Sequence, residues 1–172
     1  MIMAPDALLE LWRSSGDRLA RRCEGLTDEE YHWLPVAEGW TVHPDPAHPD
    51  RWTYEYDFAP PLPHPITTIG WRLVHLIADN EIYWEFAFGP GLRTFAEIEV
   101  PSTAADGIAA WKRSRDPITD WLTAATDAEL AEPRPSHLGA DKTAAEVISI
   151  LLDEQIHHGA EIALLRDLYA HR

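Results

Sequence analysis

Residues 141–169, DKTAAEVISILLDEQIHHGAEIALLRDLY, decide the fold. No proline interrupts them and apolar residues recur at helical spacing, which predicts one long helix from about Asp141 to about Tyr169. One face carries Val147, Leu151, Glu154, His158, Ile162 and Leu165, at steps of 4, 3, 4, 4 and 3. Four of these side chains are aliphatic, so the stripe faces a core, and Glu154 and His158 stand inside it. A carboxylate on a buried stripe is costly unless it is paired, hydrogen-bonded or bound to a metal. Spaced four apart, the two side chains lie roughly 6 Å from one another at Cβ and can converge on one ion.

Proline and glycine divide the rest of the chain. Residues 5–24 predict a first helix, with Leu8, Leu9, Leu11, Trp12 and Leu19 on its apolar face and Gly25 closing it. Thr27-Asp28-Glu29-Glu30 has the form of a capping box and predicts a short turn that ends at Leu34-Pro35. Residues 36–65 contain Pro44, Pro46, Pro49, Pro60, Pro61, Pro63 and Pro65, a density that no long helix survives. Within them Arg51–Phe58 alternates aromatic and polar residues, as a short extended segment or hairpin arm does. Such a long connection reads either as a functional loop or lid or as a surface insertion. A second long helix is predicted over 66–88, stopped by Gly89-Pro90-Gly91. A third covers about 103–126, capped by Ser102 or Thr103 and kinked or split at Pro117, with Ile108, Trp111, Ile118, Trp121 and Leu122 inward. Residues 127–140 form a link. Four helices without a convincing sheet predict an all-α four-helix bundle, up-down-down-up or related. It spans 1–172 as one domain, with 36–65 as a long proline-rich insertion between helices 1 and 2.

Composition excludes several functions. The chain has 172 residues, 45% hydrophobic and 25% charged, which is globular usage. Its formal net charge is −15, and the basic cluster Arg18, Arg21, Arg22 is diluted by Asp17 and Glu24, so no nucleic-acid partner is expected. No apolar run approaches the ~20 residues of a membrane span, and the N-terminus lacks the pattern of a signal peptide. A cytoplasmic protein without a membrane partner is expected. The lone Cys23 permits no intrachain disulfide and reads as a packing residue. Eight tryptophans suit core packing, a pocket or an interface.

His75 raises the same question on the second helix. Trp71, His75, Ala78 and Ile82 share a face, and Leu73, Val74, Leu76 and Ile77 surround it. By itself such a residue is an ordinary core histidine. With Glu154 and His158 it completes a two-His, one-carboxylate set suited to Zn²⁺, Ni²⁺, Fe²⁺ or Mn²⁺, with a metal-free core cluster as the alternative. If the last helix is rotated, Asp153 and His157 form a rival pair. The more uniformly aliphatic Glu154/His158 face is preferred, leaving His157 to support the site or stand exposed. Asp79, one turn beyond His75, orients it or forms a salt bridge. Gly159 admits a close neighbour or is simply tolerated. Glu161 and Arg166 read as a polar pair or as exposed residues. His32, His43, His48, His64, His137 and His171 fall in loops or at the terminus and receive no role.

The segments TIGWRLVHLIADNEIYW, residues 68–84, and EQIHHGAEIALLRDLY, residues 154–169, resemble the DinB/YfiT-like superfamily, most closely an actinobacterial DinB-like branch. The first helix and the LTDEEYHWLP link, residues 26–35, carry the same resemblance. It implies a commonly dimeric four-helix bundle with a divalent metal held by three histidines, one from the second helix and two, four apart, from the last. It also implies thiol-dependent S-transferase or isomerase activity on a small molecule, or a non-catalytic dimeric binding or scaffold protein of the same fold. His75 matches the second-helix ligand and His158 the later ligand of the last helix. Glu154 stands where the family usually has its first last-helix histidine.

Overall fold

The structure, a computed structural model, describes residues 4–57 and 59–172; Phe58, the last residue of the aromatic-polar stretch, lies outside them. Helix α1 runs Ala4–Arg22, the turn α2 Asp28–Tyr31, α3 Ile69–Phe88, α4 Ala104–Ser114, α5 Asp116–Ala124, the turn α6 Asp127–Leu130 and α7 Ala144–Ala170. α1 packs on α5 and α7, and α3 packs on α4 and α7. The third predicted helix is thus two, because Pro117 lacks the N–H that would continue α4 and instead sits in the first turn of α5.

The expectation of an all-α chain is overturned by two antiparallel hairpins. β1, Val42–Pro44, pairs with β2, Trp52–Tyr54; β3, Pro133–Ser136, pairs with β4, Gly139–Thr143. These strands are three to five residues long, and β3 and β4 (PRPS and GADKT) lack apolar alternation, so no period-2 signal marks them. The second hairpin turns at Gly139, whose φ of +108° disfavours any side chain. Thr143 then ends β4 and caps α7: Glu146 N–H donates to its hydroxyl, and its own N–H donates to Glu146 at 2.7 Å. Pairing and cap together start the helix at Ala144 instead of Asp141.

Two apolar clusters fill the interior. One joins α1, α3, α4 and α7 around Leu19, Leu73, Ile77, Trp111 and Ile162; the other gathers Trp12, Ile118, Leu122, Ile148 and Leu151. Cys23 is buried in the first, as its packing reading required. Leu11 departs from the predicted α1 face: it is 51% exposed, while Trp12 and Leu19 turn inward. Tyr31 is fully buried between α3 and α4, where a Cβ on Gly70 or Gly107 would come within 3 Å of its ring. Gly159 has no such constraint, since a Cβ there would meet Leu19 at 3.7 Å, an ordinary contact.

Candidate metal centre

α3 and α7 lie side by side and bring His75, Glu154 and His158 together. On α7 the predicted stripe is buried at Val147, Leu151, Ile162 and Leu165, and His158 is buried with it. Glu154 is half-buried, which opens the cluster on one side. Ligand-type atoms of the three residues all lie within 4.8 Å of one another. His158 Nε2 is 2.9 Å from Glu154 Oε2, and His75 Nε2 is 3.5 Å from the same oxygen. The two imidazoles meet edge to face at 4.7 Å. The rival pair does not form this centre: Asp153 is exposed, and the His157 side chain is 60% exposed beyond its rim.

Asp79 sits behind His75, its Oδ2 3.2 Å from His75 Nε2 but without hydrogen-bond geometry. Burial raises this carboxyl to about 6, against the nearby positive charges of His75 and His158. Glu154 shows the opposite behaviour. Hydrogen bonding with His158, then with His75, holds it well below the usual carboxylate range, against the cost of burial. His158 is pulled down by burial, but its hydrogen bonds to Glu154 and Glu161 outweigh that and its net shift is upward.

Two residues of this neighbourhood escaped sequence reasoning. Glu161 is not paired with Arg166; its Oε2 lies 2.6 Å from His158 Nδ1, and its Oε1 3.3 Å from His157 Nε2. Arg72 Nη1 is 3.0 Å from Glu161 Oε2 and 3.0 Å from His158 Nδ1. The signal was spacing: Glu161 follows His158 by three residues, and Arg72 precedes His75 by three, so each pair shares a helix face. Arg166 instead forks onto the buried Glu30, which leaves the predicted capping box with only its Thr27 half. His32, given no role, reaches the Ser102 carbonyl at 2.9 Å.

The first hairpin is fastened to the centre through Trp71. The Trp71 indole N–H donates to the Glu55 carbonyl at 2.7 Å, and its ring stacks on His75 at 5.0 Å and 14°. Tyr54 brings a buried hydroxyl with no hydrogen-bond partner among the described residues; burial, then Tyr56 and Asp79, raise its pKa. Burial also pushes Tyr56 up to about 12, with Asp79 and Glu154 adding to the effect. A cleft of about 1450 Å³ between this hairpin, α3 and α4 is lined by Tyr54, Asn80, Glu81 and Arg113, among others, but not by His75, Glu154 or His158.

Packed helices with a His/carboxylate cluster facing inward define a class of helical bundle with a candidate cation centre. The chain belongs to the DinB superfamily, whose family model matches residues 11–162. A crystal structure of a DinB-like protein from Bacillus cereus ATCC 10987 superposes with a TM-score of 0.64 at 15% identity, over 95% of this chain and 91% of that one. No curated protein matches the chain. Among the described residues no helix is long and apolar enough to cross a membrane.

Proposed function

We propose that this chain is a divalent-metal-dependent enzyme in which His75, Glu154 and His158 hold the ion. The observation that carries the reading is the convergence of two imidazole nitrogens and one carboxylate on a single point between α3 and α7. The donor set fits Zn²⁺, Ni²⁺, Fe²⁺ or Mn²⁺, and three protein ligands leave positions for a substrate. The buried Asp79 Oδ2, without a hydrogen-bond partner among the described residues, supports the same reading, because a nearby cation gives a buried carboxylate its counter-charge. His75, Glu154 and His158 would hold the ion, which would supply Lewis acidity that lowers the pKa of a thiol or water and polarises a small electrophile. The reaction class that this serves is transfer of a low-molecular-weight thiol, or a thiol-assisted isomerisation. Glu154 is ionised at neutral pH and needs no deprotonation before binding. His158 must give up a proton, so affinity rises with pH.

Metal analysis of the untagged protein tests the reading. We expect close to one equivalent after incubation with Zn²⁺ or Ni²⁺, lost in His75→Ala and in His158→Ala. Uptake below ~0.1 equivalent by the wild type removes the metal from the function.

A second reading is a non-catalytic dimeric scaffold, favoured by the direct Glu154–His158 pair, which is satisfied without an ion. In that case replacing both by apolar residues leaves thermal stability unchanged or higher. A homodimer belongs to either reading. Ile156, Ala160, Leu164 and Leu168 recur every four residues along an exposed face of α7, and two copies of one stripe are self-complementary about a twofold axis. Leu164→Glu is expected to turn a dimer into a monomer in sedimentation analysis.

A further inference from the structure

His158 belongs to two metal-competent groups, and the two use different nitrogens. With His75 and Glu154 it offers Nε2; with His157 and Glu161 it offers Nδ1. A neutral imidazole has one lone pair, so its tautomer decides which group can accept an ion. We propose that Arg72 and Glu161 make that choice: they reserve Nδ1 as a hydrogen-bond donor to Glu161 and leave Nε2 as the metal ligand.

This rests on the metal reading above, and three observations carry it. The first is the 2.6 Å contact from His158 Nδ1 to Glu161 Oε2, the shortest made by either nitrogen. An ionised carboxylate only accepts, so Nδ1 carries a proton; Nε2 meets the ionised Glu154 in the same way at 2.9 Å, and because Glu154 is itself a candidate ligand, the Nε2 proton is the one an ion displaces. The second is Arg72. Its Nη1 lies 3.0 Å from Nδ1, and a guanidinium offers donors alone. Nδ1 cannot accept from Arg72 while donating to Glu161, so Arg72 serves Glu161 Oε2, also at 3.0 Å. The third is confinement. Arg72 keeps only 17% of its side chain exposed, and its guanidinium lies 5.3 Å over the Trp71 ring. Its positive charge stays beside Nδ1 and repels a second cation there. Glu161 is therefore a positioning residue for the α3/α7 centre, and Arg72 keeps that centre mononuclear.

The test uses the full chain. Zn²⁺ is titrated against a chromophoric chelator, and long-range ¹H–¹⁵N spectra report which His158 nitrogen bears the proton. Wild type takes one equivalent with the proton on Nδ1. Glu161→Ala weakens affinity by ~10–100-fold, as loss of a carboxylate behind a ligating histidine does elsewhere. Glu161→Gln, whose amide oxygen still accepts, restores part of it. Arg72→Met takes up a second equivalent, which the added substitution His157→Ala removes. Melting temperatures of the chelated variants separate these effects from misfolding, and Glu161→Gln keeps the test open if Arg72→Met fails to fold. Affinity of Glu161→Ala equal to wild type, or a His158 bound through Nδ1, overturns the proposal. If wild type takes up no Zn²⁺, the metal function fails separately. The tautomer is then read in the unloaded protein at alkaline pH, where an Nε2–H wild type overturns the assignment and an Nδ1–H that is lost in Glu161→Ala supports it.

Discussion

Replacing Arg166 by methionine is expected to destabilise the protein more than any change at its exposed charges. Arg166 donates through Nε to Glu30 Oε1 at 2.7 Å and through Nη2 to Oε2 at 3.2 Å, while Nη1 serves the carbonyls of Arg22 and Glu24. Glu30 keeps only 6% of its side chain exposed, so methionine would leave a buried carboxylate unpaired and two carbonyls short of a donor. Breaking such a pair costs about 3–5 kcal/mol; because Arg166 itself is 20% exposed, the lower end applies. At roughly 2–4 °C per kcal/mol for a chain of this size, the melting temperature falls by about 6–12 °C. Calorimetry and urea unfolding of Arg166→Met, Glu30→Met and the double variant give the coupling directly. The double variant should recover much of the loss, since an apolar pair replaces the ionic one. Arg166→Lys should fall between, because an ammonium cannot fork onto both oxygens. A shift below about 2 °C for Arg166→Met, or a double variant no better than the single one, would refute the reasoning.

Gly159→Ala should raise stability by up to ~1 kcal/mol, because the site is helical and the nearest atoms to the new methyl, those of Leu19 at 3.7 Å, lie at ordinary van der Waals distance; a lower melting temperature would mean that α1 cannot admit it. The chelated protein should be more stable at about pH 6 than at about pH 8. Asp79, raised by burial to about 6, keeps a proton that the unfolded chain releases near its ordinary 3.8, so its penalty shrinks as pH falls through 6. His158, raised above its ordinary 6.5, contributes stability that is full below that value and lost as pH rises. Glu154 opposes both only below its ordinary 4.5. Melting curves across this range check the sign, Asp79→Asn should remove part of the slope, and a melting temperature that drops steadily from pH 8 to about pH 6 would contradict it.

The long helices were legible because each buries a 3.6-period face, and the polar interruptions of those faces, His75 and Glu154/His158, marked the side chains that α3 and α7 bring together. Pro117 correctly announced a break. The aromatic-polar alternation of Arg51–Phe58 marked the arm that became β2 at Trp52–Tyr54, but the second hairpin was invisible because its strands are short, proline-bearing or polar and exist through pairing with each other. Arg72 and Glu161 were illegible because charged residues at a helix flank look alike whether they face solvent or a neighbouring histidine. Spacing alone put Glu161 one turn beyond His158 on α7, and only the approach of α3 to α7 brings Arg72 to the same pair. Arg166 was paired with the wrong partner for the same reason, since Glu30 lies 136 residues away in sequence.

Trp71 gives the molecule a built-in gauge. One ring is held at its edge by the backbone of the proline-rich connection and presses its face against a candidate ligand. Lifting the connection would cost the indole its hydrogen bond and free the ring that backs His75. The posture of this strap and the seating of His75 therefore meet on a single side chain.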